Sequence, residues 1–375
     1  MSYEIDFIGV NDETAKKDAD AICLRWRDGA TYKIGVVDGG FEAHGIEMIS
    51  HLNKYYFNDP QGMMRAINKT IDFLVITHPD QDHTAGIKVI LENFSVKTIY
   101  MNRPWKYTKE LYEFINDDRI TYNSLMERLR SRYKTIAEIE DIANAKNIEI
   151  KDALQGTIIE DKILVLSPDI GFYLKCLIES EKTPLASDSN EHFGQKMIRK
   201  TREYLLTLFE TWTNENRREN VVTNPENETS VVMRGIIDNS GFLLVGDAGI
   251  QGLNKAMDYM ESIGEHIQDL ISFYQIPHHG GRNNISSSVL DRMLGKISVE
   301  GGGKTYRSAI ASVAMGSDHP LKMVTNAYIR RGVKTFKTDG NTFCHCEGDM
   351  PKRGWSNSKE IEFNNYVESW DEKTF

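Results

Sequence analysis

The 375-residue sequence predicts an α+β protein, and two patterns carry that expectation. Short apolar, strand-like runs recur along the chain, and between them lie segments whose apolar residues return every three or four positions, as on one face of a helix. A third observation locates the chemistry. The apolar run Phe73-Leu74-Val75-Ile76 opens into Thr77-His78-Pro79-Asp80-Gln81-Asp82-His83-Thr84-Ala85-Gly86. Four side chains able to bind a metal, His78, Asp80, Asp82 and His83, therefore crowd the turn between a strand and a helix that presents Ile87, Ile90, Leu91 and Phe94.

Composition bounds the reading. A hydrophobic fraction of 40% and five tryptophans suit a globular chain with a sizeable core. The net charge of −10 excludes a surface that is basic throughout, so a nucleic-acid contact would have to be a local patch. The cysteines, Cys23, Cys176, Cys344 and Cys346, lack the spacing of a disulfide framework. Cys344-His345-Cys346 resembles half a metal site, but no second Cys/His pair lies nearby, and the three residues read as alternating along a late strand. MSYEIDFIGV has no basic region followed by an apolar one, and no apolar run approaches the roughly 18 residues of a membrane span. A cytoplasmic location without membrane contact is expected.

In order, residues 3–10, 21–26 and 32–37 read as strands, the last ending at Asp38-Gly39-Gly40. Residues 45–56 and 62–71 read as helix leading to the motif strand, and 96–101 as the strand after it. Residues 105–145 form a charged helical stretch, with Leu111, Phe114, Ile115, Leu125 and Leu129 available for packing. Arg128, Arg130, Arg132 and Lys134 make it locally basic. A charged helix face is usually solvated; this one is also the candidate contact for nucleic acid. Short strands at 148–150, 157–159 and 163–166 open the second half. In residues 169–222, the stretch 195–212 reads as a helix with Ile198, Leu205, Phe209 and Trp212 on one face, which packs on the main domain or serves a partner or a second copy. Strands at 241–245, 273–276, 309–313 and 333–337 follow, and 351–375 is a polar tail.

Alternate residues of an extended loop point the same way, so His78 and Asp80 can share one ion. Asp82 and His83, beyond the turn, can reach a second. Two ions held this close act on one oxygen between them, as in phosphate-ester hydrolysis. Further fragments extend the pattern: Gly35-Val36-Val37-Asp38-Gly39-Gly40, Leu164-Val165-Leu166-Ser167-Pro168, Asn227-Glu228-Thr229-Ser230-Val231, Gly246-Asp247-Ala248-Gly249, Ile276-Pro277-His278-His279-Gly280-Gly281, His319-Pro320 and Thr338-Asp339. In this order they resemble the metallo-β-lactamase fold. Within it they are most similar to the hydrolase domain of the DNA-uptake protein ComEC, where the usual His-x-His-x-Asp-His is written His-Pro-Asp-x-Asp-His.

The resemblance implies a four-layer αββα sandwich over residues 1–375, with helical insertions at about 105–146 and 169–222 and metals at the shared rim of two mixed sheets. It implies that Asp38 orients histidines from beneath, that Asp247 bridges the ions, and that one of His278 and His279 is a ligand. Asn227 stands where the wider superfamily has a histidine, and is expected to hydrogen-bond a water or phosphate instead. His319 borders the site as a phosphate contact or leaving-group acid. Asp82, Asp247 and His319 are thus the expected catalytic residues, with His78, Asp80, Asp82, His83, Asp247 and His278 or His279 as ligands of two divalent ions. So oxygen-rich a set favours Mn²⁺, with Zn²⁺ also accepted. The activity implied is phosphodiester hydrolysis by a hydroxide bridging the metals, on DNA or RNA as a nuclease. The alternative is a small-molecule diester of phosphocholine or cyclic-nucleotide type.

Overall fold

The computed structural model describes residues 2–12, 17–57, 69–114, 120–180, 182–183, 207–299 and 306–370. Six strands come first: β1 (Tyr3–Phe7), β2 (Ala21–Asp28), β3 (Thr31–Gly39), β4 (Thr70–Val75), β5 (Ser95–Tyr100) and β6 (Glu149–Lys151). Then follow β7 (Ile158–Ile159), β8 (Ile163–Ser167), the short β9 (Thr207–Phe209), β10 (Val232–Ile237), β11 (Ser240–Leu244), β12 (Phe273–Gln275), β13 (Arg307–Ala311) and β14 (Val333–Lys337). The last two are β15 (Phe343–Glu347) and β16 (Tyr366–Glu368). One seven-stranded sheet has the order β15-β1-β2-β3-β4-β5-β6, and the other β14-β13-β12-β11-β10-β8-β7. Each is mixed. The first turns from antiparallel to parallel after β3, the second after β11.

Three apolar cores define the layers. Between the sheets, Ile5, Phe7, Phe73 and Val75 meet Val165, Met233, Phe242 and Phe273. Outside the first sheet, Val36, Leu74 and Ile99 lie under Met48, Ile87, Ile90, Leu91 and Ile136. Outside the second, Leu243, Tyr274 and Ala309 lie under Leu253, Met257, Leu290 and Val324. Consecutive residues such as Phe73 and Leu74, or Phe242 and Leu243, thus enter different cores. That is why the central strands read as unbroken apolar runs rather than alternating ones. The expected αββα sandwich is what the chain forms.

Several expectations change in detail. Strand β6 closes the first sheet rather than opening the second half. Phe114 is 53% exposed, so the helical stretch is held by Leu111, Leu125 and Leu129 without it. Residues 62–68, Ile115, Ile198, Leu205 and most of the 301–307 loop lie outside the described residues. Thr207–Phe209, expected to end a helix, is instead a strand paired with β16. From there burial alternates: Leu208, Glu210 and Trp212 point inward while Phe209, Thr211 and Thr213 are exposed. The heptad-like spacing of Leu205, Phe209 and Trp212 concealed this two-residue period, which β-branched threonines favour. Among the described residues no helix is long and apolar enough to cross a membrane.

Glu210 explains how β9 is anchored. Its carboxylate, 1% exposed, takes Arg330 Nη2 at 2.9 Å, and the same fully buried guanidinium donates to the carbonyls of Thr211 and Trp212. Arg330→Met would leave Glu210 buried without its cation, and should cost about 3–5 kcal/mol of stability. Urea unfolding measures this; a loss under about 1 kcal/mol would show that the pair does not clamp this segment.

Candidate metal centre

The parallel strands of both sheets end at one rim. Asp38 lies at the end of β3 and the 77–83 loop follows β4; Asp247, His278 and His279, and Ser312 follow β11, β12 and β13. The loops cross there at close quarters. A Cβ on Gly246 (φ +51°) would lie 2.9 Å from Thr77 Oγ1, and one on Gly280 (φ +89°) 2.3 Å from Pro320 Cβ. Asp38, His278 and His279 also adopt positive φ (56°, 49° and 57°), a conformation costing non-glycine residues on the order of 1–3 kcal/mol each.

Three buried imidazoles at the rim, those of His78, His83 and His279, spend Nδ1 on the protein and turn Nε2 inward. His83 Nδ1 donates to Asp38 Oδ2 at 2.7 Å, and His279 Nδ1 to the Ser312 carbonyl at 2.8 Å. Thr77 Oγ1 donates to Asp38 Oδ2 at 2.6 Å and so accepts from His78 Nδ1 at 3.2 Å. These partners fix the three Nδ1 atoms and turn the three Nε2 atoms toward one another. The Nε2 atoms of His78, His83 and His279, with Oδ1 of Asp247, are buried and lack a hydrogen-bond partner. Buried polar groups are otherwise nearly always satisfied. Nitrogen and oxygen ligand atoms converging on unfilled positions are what a cation requires once it displaces the imidazole protons, and the residues present fit one.

Asp247 lies between two donor groups. Its Oδ1 is 3.3 Å from His83 Nε2, while its Oδ2 is 3.7 Å from both His78 Nε2 and His278 Nδ1. On the Oδ1 side, Asp82 Oδ2 lies 3.6 Å from His279 Nε2. Here the sequence reading missed Asp20. This carboxylate is 1% exposed, lies 4.0 Å from His83 Nε2, and groups with His83, Asp247 and His279 as a set that could hold an ion. Gln275 fixes it: its Oε1 accepts from the Val245 and Gly246 amides, so its Nε2 must donate to Asp20 Oδ2, at 2.9 Å.

The Oδ2 side is more open. Asp80 Oδ2 is 3.9 Å from His78 Nε2, but its Oδ1 pairs with Lys182 Nζ at 2.8 Å, a residue the sequence did not single out. Asn227 Nδ2 is 2.8 Å from His278 Nδ1 and so orients that ring. The His278 and His279 rings are 84° apart, which sends His279 to Asp82 and His278 to the outer oxygen of Asp247. His319, at the rim, is bound through Nδ1 to Asp18 Oδ2 at 2.9 Å, and Asp18 also accepts from the Ala314 amide. Ser286 caps its helix while Ser287 and Ser288 bond Glu215 and Glu219, so these hydroxyls are already occupied.

Burial alone would depress His83, but the carboxylates of Asp247 and Asp38 overcome it and hold its pKa well above the ordinary value. His279 is likewise opposed by burial and raised to about 9 by Asp82, Asp247 and Asp20. His78, with burial and the neighbouring His83 both against the charged form, is lowered.

Residues 36–149 match the family model described as "Metallo-beta-lactamase superfamily". No curated protein matches the chain. Among solved structures, the metallo-beta-lactamase fold protein YhfI from Bacillus subtilis is 10% identical with a TM-score of 0.41, covering 92% of this chain and 100% of its own. A diphosphatase from the PhnP family is 11% identical with a TM-score of 0.39, over 92% and 98% of the two chains. Zn(2+)-bound PqqB from Methylobacterium extorquens is 11% identical at 0.39, over 92% and 99%.

Ion binding must displace the protons that His83 and His279 hold at neutral pH. Divalent-ion affinity should therefore rise with pH, steeply near neutrality and less so once His279 has titrated at about 9. Calorimetric titration in two buffers of different ionisation heat should show protons released on binding; an affinity independent of pH would contradict the protonation scheme.

Proposed function

We propose that this chain, which carries a metallo-β-lactamase superfamily domain, is a two-ion phosphodiester hydrolase with nucleic acid as its substrate. The observation that carries the reading is the position of Asp247, with one oxygen toward His83 and the other toward His78 and His278. A carboxylate so placed can hold two cations by one atom each. Asp20, Asp82, His83 and His279 complete one ligand set, and His78, Asp80 and His278 the other. When bound, the ions supply Lewis-acid polarisation of the phosphoryl oxygen and acidify a water at neutral pH.

The protein's own contribution is orientation. Asp38, Thr77 and the Ser312 carbonyl fix three imidazoles, and Asn227 fixes the fourth. Nδ1 of His319 is taken by Asp18, which leaves Nε2 as the atom able to give a proton to a leaving alkoxide. Lys182 offers the only cation paired to this cluster among the described residues, and is placed to meet a phosphate once Asp80 turns to an ion.

Two observations favour a small diester as the second reading. Arg130 is paired with Glu140 and Asp141, and Lys134 with Glu138, so two of the four cations of that basic stretch are already engaged by carboxylates. The chain is also strongly acidic.

Asp82→Ala and His83→Ala should each lose bound metal and activity while the domain stays folded; wild-type metal content in both would sink the ligand assignment. With Mn²⁺ the protein should cut DNA or RNA, and Asp247→Ala should be slower by about a hundredfold or more, a few kcal/mol of lost charge stabilisation. The assay compares linear and circular DNA, single- and double-stranded DNA, RNA, and a bis-aryl phosphodiester, at low and high salt, because backbone contacts weaken steeply with salt. Cleavage of the small diester alone would replace the nuclease reading with the second one.

A further inference from the structure

Strand β1 has two faces of different character. Tyr3, Ile5 and Phe7 enter the core between the sheets. Glu4 and Asp6 point the other way, yet both are fully buried. The carboxylates meet two buried guanidinium groups: Arg25 Nε donates to Glu4 Oε1 at 2.6 Å, and Arg353 donates to Glu4 Oε1 at 2.5 Å and to Asp6 Oδ1 at 2.7 Å. Two acids and two bases balance. Among the acceptors of this cluster one atom is left over, since Glu4 Oε2 is buried with no hydrogen-bond partner.

The register of β15 on β1 supplies its neighbours. Cys346 lies opposite Glu4 and Cys344 opposite Asp6, so both thiols stand on the polar face. Their sulfurs are 3.4 Å apart, and the two Sγ atoms and a Glu4 carboxylate oxygen all lie within 4.8 Å of one another. Two thiolates on a tetrahedral zinc ion would lie about 3.8 Å apart, from a Zn–S bond of about 2.3 Å. The observed spacing needs a shift of only a few tenths of an ångström. Cys346 is exposed and Cys344 partly so, which leaves an approach for the ion and room for a water as fourth ligand.

We propose that Cys344, Cys346 and Glu4 form a second, thiolate-bearing metal site that takes Zn²⁺ and pins strand β15, near the end of the chain, to β1 at its beginning. It shares no residue with the His/Asp centre and differs from it in donor softness, since thiolates select zinc where carboxylates suit harder ions. Charge also fits. One Zn²⁺ replaces two thiol protons, so the balance set by Arg25 and Arg353 is undisturbed and no net charge is added to a buried layer.

The test uses the reduced full-length chain titrated with Co²⁺, whose sulfur-to-cobalt charge-transfer absorption reports thiolate ligation and is silent at a His/Asp site. The expected result is a band whose limiting amplitude corresponds to one thiolate-bound Co²⁺ per chain, displaced by Zn²⁺, retained in His83→Ala, and lost in Cys344→Ser and in Cys346→Ser. Glu4→Gln should keep the band but weaken ion affinity at least tenfold. Absence of the band in the wild type, or its survival in either cysteine variant, would overturn the site. As a check that needs no folded variant at this cluster, Zn²⁺ should slow alkylation of Cys344 and Cys346 in the His83→Ala protein. Equal rates with and without Zn²⁺ would refute the proposal.

Discussion

Three imidazole nitrogens and a carboxylate oxygen buried against one another, none with a hydrogen-bond partner, are an arrangement that the polypeptide does not satisfy by itself. The rest of the rim follows from that constraint. Asp38 is buried beneath His83 and held by the amide and hydroxyl of Thr77, so the ring cannot rotate to relieve its unsatisfied nitrogen. Gln275 does the same for Asp20 by tying it to the backbone at the end of β11. Left-handed backbone at Asp38, His278 and His279 adds local strain. Cores on both faces of each sheet supply the rigidity that keeps this strain from relaxing.

The two sides of Asp247 are built differently. Around Oδ1, Asp20, His83 and His279 are almost wholly buried, and each is fixed by a hydrogen bond to a further residue. Around Oδ2, Asp80 and His278 have side chains 30% and 38% exposed, and Asp80 already shares a charge with Lys182. Preorganisation thus favours an ion on the inner side, whereas the outer side must rearrange before it can hold one. In the proposed reaction the outer side is also where substrate arrives, and adjustable donors suit a position whose coordination must change.

How much of this was legible in the sequence depends on distance along the chain. The 77–86 loop announces itself because its donors are local and follow a strand. Asp247 and the paired histidines were found because each ends a recognisable apolar run. Asp20 was not found. It enters the cluster from the start of β2 and is bound by a glutamine 255 positions away, a relation that no local pattern encodes. A faint signal existed in Asp18-Ala19-Asp20, two carboxylates flanking a small residue at the mouth of a strand next to β3. Lys182 lay in a segment with no motif at all. The predicted helix at 195–212 failed at its end for a different reason: apolar positions 205, 209 and 212 fit a helical face, but Glu210 is a buried acid on a strand-like segment, and its burial is made tolerable by the distant Arg330 together with donors from Asn216 and Asn326.

Electrostatics constrain any substrate further. Asp20, Asp38, Asp80, Asp82 and Asp247 concentrate negative charge at the rim of an already acidic chain, and the protons on His83 and His279 offset only part of it. A phosphodiester, itself an anion, would be repelled by that field. Divalent cations reverse the local sign, and a bound ion is often the largest charge in its site. Attraction of the substrate and activation of the water would then depend on the same event. On this view Lys182 is a partial neutraliser in the ion-free state, and it can turn to the phosphate only when an ion has relieved it of Asp80.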